Sequence, residues 1–406
     1  MSLPDQNDQK LFSIEFLLLN LIIFFSFCNM AVFYSFFDYL GRIGIPADWR
    51  GFLVGLEPMS AFLLRLGAVP LLHAKNAIAA MIIALVAIMV VLCSYGWVVS
   101  VHGLIILRVI HGAAFVLLVS AAMALVVYFI PEGKSGQGFG FISVSVLIPY
   151  AIMPPITEFL KAYTRNEAWI YRGVTILAIP ALLLLVVLKK RLNRALAGVE
   201  GVLVRRPEMN EIRKNLKDTR ISILLCVNLF IYVSYATVFY FMKGYAAANS
   251  IGGVGWFFTI ATLVMIVLRL GGGLFFDKID KTRMIQVFTI LLVPCFLTFG
   301  HIRGNSMLYL MAGCYGLCIG FILPLLNALL FEISAAELRG VNVNLALFAM
   351  DAGFFLSPWL GGSLIASGRS FGFLFSLCGG FVFVNFLLLV VFAGLKSRGA
   401  QRAVAG

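Results

Sequence analysis

The sequence predicts an all-α integral membrane fold, two six-helix bundles related by a pseudo-two-fold axis. Three observations carry this. Of 406 residues 62% are hydrophobic and only 12% charged, against roughly 25% charged in a soluble domain. The mean hydropathy is +1.01. The apolar residues are gathered into about twelve long blocks, each near the roughly 20 residues that cross a hydrocarbon core of about 30 Å with every backbone bond satisfied internally. A transmembrane barrel would need short alternating strands. Continuous runs such as Ala77 to Leu92 and Ile176 to Leu188 exclude it.

The polar, non-basic N-terminus ends at Lys10, and the apolar run after it, 12–38, is too long for a signal-peptide core and predicts a retained first helix. The second span, 51–72, opens at Gly51 and closes before Lys75, and the third, 76–97, runs to Gly96. The fourth, 99–129, stops before Pro131-Glu-Gly-Lys134, and the fifth, 138–162, carries Pro149, Pro154 and Pro155 and ends before Arg165. The sixth, 168–188, meets Lys189-Lys-Arg191. Beyond a polar stretch come 221–246, 252–275, 283–300, 305–332, 341–366 and 370–395, each bounded by glycine or by charge.

The polar stretch Lys189 to Arg220 holds ten Lys or Arg against four acids. It divides the chain into an N-terminal bundle, 1–188, a basic linker, 189–220, and a C-terminal bundle, 221–406. With an even number of spans both termini lie on one side, and twenty of the 31 basic residues fall on that side against eight on the other. The positive-inside rule therefore predicts cytoplasmic termini. The same distribution accounts for the net charge of +13 through a basic face on the lipid surface, without nucleic acid. The seven cysteines all lie in apolar spans and read as packing; no metal site and no cofactor is expected.

An internal repeat underlies the two halves. Shifted by 204 positions, Leu64-Arg65-Leu66-Gly67 falls on Leu268-Arg269-Leu270-Gly271, Gly51 on Gly255, Gly96 on Gly300, Gly112 on Gly316, Gly136 on Gly340 and Pro154 on Pro358. A register held from the second helix to the fifth marks duplication. Duplicated halves imply a polar pathway between them near the midplane.

Gly273-Leu-Phe-Phe-Asp277-Lys278-Ile-Asp280-Lys281-Thr-Arg283 is similar to the G-x-x-x-D-R/K-x-G-R/K-x-R loop of the major facilitator superfamily, with Asp280 where glycine is usual. Arg108-Val-Ile-His111-Gly112 is similar to that family's R-x-x-x-G signature, and Ala336-Glu337-Leu-Arg339-Gly340 to P-E-x-R-G. Gly353-Phe-Phe-Leu-Ser357-Pro358-Trp-Leu-Gly361-Gly362 resembles its G-x-x-x-G-P-x-x-G-G pattern, though in the eleventh span rather than the fifth, where antiporters carry it. On these residues the chain resembles a member of that superfamily over nearly its whole length. The resemblance implies a cytoplasmic gate formed by Gly273, Asp277, Lys278, Asp280, Lys281, Arg283, Glu337 and Arg339, with Asp277 against the N-terminus of the eleventh helix. In the first half His73 stands where the second has Asp277, so gating charge is expected on the second half.

Charges inside a span cost roughly 2.5 to 3.5 kcal/mol each, so each is a candidate for function. Five lie deep: Glu57, Arg65, Arg108, Arg269 and Asp351. Glu57 and Arg65 are about 12 Å apart along one helix, so each needs a partner from elsewhere. Arg65 and Arg269 are repeat equivalents that either pair near the gate or line the pathway. Arg108 and His111 share a helix face and are candidates for substrate or proton contact, unless Arg108 merely stiffens its helix on carbonyl partners. Asn228, Tyr232 and Tyr235 form a polar stripe on the seventh span, as Asn344 and Asp351 do on the eleventh. Asp351 is the best-placed carboxylate for carrying a proton.

These readings predict a secondary active transporter, coupled to protons, that moves a small and possibly anionic organic solute by alternating access; efflux of amphipathic compounds by proton antiport is the alternative. No phosphate-binding G-x-x-x-x-G-K-S/T loop occurs, which argues against ATP drive. The absence of clustered acids and histidines at one interface argues against an enzyme. The expected setting is the bacterial inner membrane, as a multi-pass monomer.

Overall fold

The computed structural model describes residues 12–67, 74–126, 129–130, 135–164, 166–195, 215–276, 279–334 and 338–405. Among the described residues, twelve helices fall on the twelve apolar segments. Helix α1 runs Ile14–Ala31, tightens through one 3₁₀ turn at Val32–Ser35 and continues as Phe36–Arg42. The Ser13 hydroxyl starts it by accepting from the Phe16 N–H at 3.2 Å, which satisfies one of the orphan donors of a first turn. Then come α2 (Ala47–Gly67), α3 (Ala74–Ser94), α4 (Val101–Val126), α5 (Ser135–Lys161) and α6, made of Ala168–Val174, a short 3₁₀ turn and Ala178–Ala195. In the second half α7 (Thr219–Ala248) and α9 (Lys281–Phe299) are capped by Asp218 and Asp280. They are joined by α8 (Val254–Phe276), α10 (Asn305–Ile333), α11 (Arg339–Ala366) and α12 (Phe371–Ala405).

Eleven of these helices are long and apolar enough to cross a membrane. The remaining one, α2, has 21 residues, about 31 Å, but carries Asp48, Arg50, Glu57 and Arg65. Its packing explains the tolerance, since α2 lies between α4 of its own half and α11 of the other and presents Glu57 and Arg65 to protein, while Asp48 and Arg50 sit in its first turn. The outer helices instead expose apolar side chains such as Ile83, Val90, Ile106, Val267 and Leu310.

Several ends differ from the expected spans. Helix α2 begins at Ala47, four residues before the expected span, and is described to Gly67; residues 68–73, His73 among them, lie outside the described residues. Helix α6 extends to Ala195 and α12 to Ala405, so helix continues past the apolar spans into basic segments. Of the expected linker, 196–214 lies outside the described residues.

Glu15 at the start of α1 pairs with Arg191 near the end of α6, and Arg42 at the end of α1 pairs with Glu167 just before α6. These contacts define a terminal end, which holds Ile14, and a distal end opposite. The halves meet along two antiparallel seams, α2 on α11 and α5 on α8. Glycine permits the closest approach, Gly51 lying against Pro358 and Gly362, and Gly255 against Pro155. The repeat also holds at the level of contacts. A Cβ on Gly112 would strike the Glu57 carbonyl, and one on Gly316 would strike that of Ala261; both residues of the first pair map on the second at the offset of 204.

Candidate functional site

Arg108 is 1% exposed and sits on α4 facing α2. Pro58 interrupts α2. It has no N–H, so the carbonyl four residues back loses its helical partner. That carbonyl, of Val54, accepts from Arg108 Nη2 at 2.8 Å, and the neighbouring Leu53 carbonyl accepts from Nε at 3.0 Å. The same Nη2 reaches Glu57 Oε2 at 3.5 Å, and the guanidinium lies 4.8 Å from the Phe36 ring centre. Carbonyl anchoring therefore coexists with spare capacity, because Arg108 Nη1 and Glu57 Oε1 are buried without hydrogen-bond partners. Glu57 is itself 1% exposed, and its charge reaches Tyr150 of α5 and Tyr240 of α7.

His111 lies beside Arg108 against the ring of Phe33, whose centre is 5.3 Å from the guanidinium. Its Nε2 lies 3.0 Å from Asn29 Oδ1 and its ring packs against Phe33, 5.2 Å between centroids, and against Tyr95. It belongs to the interior of the first half, while Arg108 reaches the α2 backbone beside the seam.

Across the seam Arg65 of α2 donates from Nε to Asp351 Oδ2 of α11 at 2.7 Å, with Nη2 3.5 Å from Oδ1. Their side chains are 13% and 8% exposed, so the pair is largely sheltered from water. One turn before Arg65, Phe62 stacks on Phe348 with centroids 3.7 Å apart. Closer to the distal end Gly55 abuts Phe355. The α2–α11 seam is thus shut from Gly51 to Arg65.

The second half presents the polar stripe of α7. Both Asn228 side-chain atoms are buried without partners. Tyr232 and Tyr235 pack on Phe354 of α11, and both feel the charge of Arg269 on α8. A small cavity, on the order of one water molecule in size, lies against α7 and α8 and is lined by Tyr150, Tyr235, Phe258, Thr262, Met265 and Tyr315, among others. Asn344 lies in α11 with its side chain outside the described part.

Of the gate residues, Asp277, Lys278 and Glu337 lie outside the described residues, and of Gly273 and Arg339 only the helical backbone is described. Asp280 caps α9 by accepting from the Arg283 N–H at 3.3 Å, which accounts for an acid where the motif has glycine. Lys281 pairs with Glu332 at the end of α10, 2.6 Å apart; the Arg283 side chain is exposed. Beside them Asn342, fully buried, donates to Ser334 Oγ at 2.7 Å and pairs with Asn215.

Sequence reasoning missed the distal end. Glu158 of α5 pairs with Lys243 of α7 and accepts from the Gly255 N–H of α8 at 3.0 Å, tying the halves together. Glu167 gathers Arg42, Lys161 and Ser35. The available signal was the confinement of Glu158, Lys161, Glu167 and Lys243 to span ends, where these residues also read as ordinary interfacial charge.

The sequence profile described as Major Facilitator Superfamily matches residues 19–341. No curated protein matches the chain. Among solved structures, the crystal structure of a mutant of the nucleoside transporter NupG is similar, with a TM-score of 0.72 at 12% sequence identity, covering 93% of this chain and 99% of that one. At that identity the likeness bears on the fold alone.

Proposed function

Because the chain belongs to the Major Facilitator Superfamily, whose members are secondary transporters rather than enzymes, we propose that it moves a small organic anion across the membrane in exchange with, or together with, protons. The observation that carries this reading is the Arg65–Asp351 pair, a nearly buried charge pair bridging two halves that must separate. Removing one charge from such a pair leaves the other uncompensated, at a cost of about 3–5 kcal/mol. Protonation of Asp351 does this reversibly. The α2–α11 seam then opens at its terminal end, where Arg65 lies, and water and solute reach the interior. Return of the proton to water re-forms the pair and closes the seam.

Glu57 and Arg108 form a second buried charge pair, within the first half, 3.5 Å apart and with one atom of each unsatisfied. Three deep arginines against two deep carboxylates leave the pathway positive, which favours a carboxylate or phosphate over a cation. A second reading, export of amphipathic compounds, draws on the aromatic cavity wall of Tyr150, Phe239, Phe258 and Tyr315. We place the protein in the bacterial inner membrane as a monomer with both termini in the cytoplasm, and its halves at 1–188 and 221–406 about the basic segment 189–220.

Reconstitution into proteoliposomes with an imposed proton gradient tests the proposal. Gradient-driven flux of a radiolabelled carboxylate or phosphate ester supports it. Gradient-driven flux of apolar cations alone would favour the second reading, and no response to a gradient would remove proton coupling.

A further inference from the structure

The two repeat-equivalent arginines have different surroundings. Arg65 is neutralised by Asp351 across its seam. Arg269, its counterpart on α8, makes no ion pair among the described residues, and its buried Nε has no hydrogen-bond partner. The repeat explains the difference. Asp351 lies seven residues before Pro358, and the matching position seven before Pro154 is Leu147. Leu147 is on the stripe of α5 that also carries Ala151, Pro155 and Glu158; those three contact α8 through Thr259 and Gly255. An apolar residue thus occupies the place where the second seam would otherwise hold its acid.

Arg269 also continues a wall. Phe258, Thr262 and Met265 line the cavity, and Arg269 follows at the next helical position on the same face of α8. Tyr235 lines the same cavity as Phe258, Thr262 and Met265, Tyr232 packs beside it with ring centres 6.4 Å apart, and both carry hydroxyls. A guanidinium whose buried Nε has no partner, and which faces no acid among the described residues, is a costly arrangement unless an anion completes it.

We propose that Arg269, with the hydroxyls of Tyr232 and Tyr235, binds the carboxylate or phosphate of the transported solute, standing to that group as Arg65 stands to Asp351. The assignment rests on the anion-transport reading above and adds to it the residue that selects charge. It also gives the duplication a division of labour, one seam holding a built-in acid that responds to protons and the other left open for an external one.

The test uses purified full-length protein and ligand-dependent thermal stabilisation, with succinate, benzoate and glycerol phosphate as probes against succinamide, benzamide and glycerol. At least one anion is expected to stabilise the parent, and its neutral counterpart not. Arg269→Gln should weaken that anion by about tenfold to a hundredfold. Leu147→Asp should do the same by supplying the missing acid, while Leu147→Asn should not. Since Leu147→Asp adds a buried acid, Arg269→Gln decides alone if that variant does not fold. Stabilisation by anions that survives Arg269→Gln, equal response to anions and neutral probes, or no response to any probe overturns the assignment. Proton-driven flux of the anion that is undiminished in Arg269→Gln would overturn the anion site and leave transport standing. No gradient-driven flux in the parent would instead remove the transport reading itself.

Discussion

Pro58 leaves the Val54 carbonyl without its helical donor, and Arg108 supplies one from a different helix at 2.8 Å. A helix breaker in α2 and a buried arginine in α4 are thus two parts of one arrangement. The α2 chain gains a donor it cannot provide, and the guanidinium gains carbonyls that let it lie inside a membrane protein beside a single carboxylate.

Removing that arginine should be costly. Arg108→Met is expected to destabilise by about 3–5 kcal/mol, since Glu57 stays buried and unpaired. The double variant Glu57→Gln/Arg108→Met should recover part of the loss. Thermal melts of the four proteins in detergent give the coupling energy, and an additive double variant would contradict the pairing.

Asp351→Asn should leave the protein folded and keep solute exchange while abolishing the response of net flux to a proton gradient. Arg65→Gln should have the same effect from the other side of the pair. Counterflow compared with gradient-driven uptake separates the two behaviours. Retained coupling in Asp351→Asn would assign the proton elsewhere.

The contacts that repeat at an offset of 204 should repeat in energetics. Gly112→Ala and Gly316→Ala each drive a methyl into a facing carbonyl and are expected to destabilise by about 1–3 kcal/mol. Gly313→Ala, with nothing near its added Cβ, should be neutral or stabilising by up to about 1 kcal/mol. Thermal shifts of the three variants check the ranking.

At the distal end Glu158 joins α5 to α7 and α8. A cysteine pair at Ala151 and Thr259, whose side chain reaches the Ala151 carbonyl at 2.5 Å, should cross-link readily and arrest flux until reduced. Glu158→Gln should slow the cross-link by loosening that end. Equal cross-linking rates with and without the acid would show that the pair does not hold the seam.

Much of this architecture was legible in the sequence, because bilayer thickness acts on each helix separately. Hydropathy marks eleven helices. The twelfth, α2, is too charged for that signal and was found through glycine and charge boundaries and through the match of its Leu64 to Gly67 to the eighth span. The need of Glu57 and Arg65 for partners was also legible, from their spacing on one helix. Which partners they take was not, since Asp351 lies 286 residues from Arg65 and nothing local sets the register of α2 on α11. His111 shows the same limit. Three residues from Arg108, it reads as a neighbour on one face, and both do meet the ring of Phe33, but its partner Asn29 lies 82 residues away and nothing local points to it. That Arg269 faces no acid among the described residues becomes intelligible only when the repeat is read together with the seam, where Leu147 stands in the place of an acid.

Proton coupling requires the Arg65–Asp351 pair to act as a proton-sensitive closure between halves. Spin labels at Lys190 and Arg283, both exposed and near the terminal end, measure that closure by pulsed electron resonance in a cysteine-free background. Acidification should lengthen the distance in the parent, because protonated Asp351 releases Arg65, and in Asp351→Asn the distance should no longer depend on pH. One unchanged distance in both proteins across the pH range would contradict it.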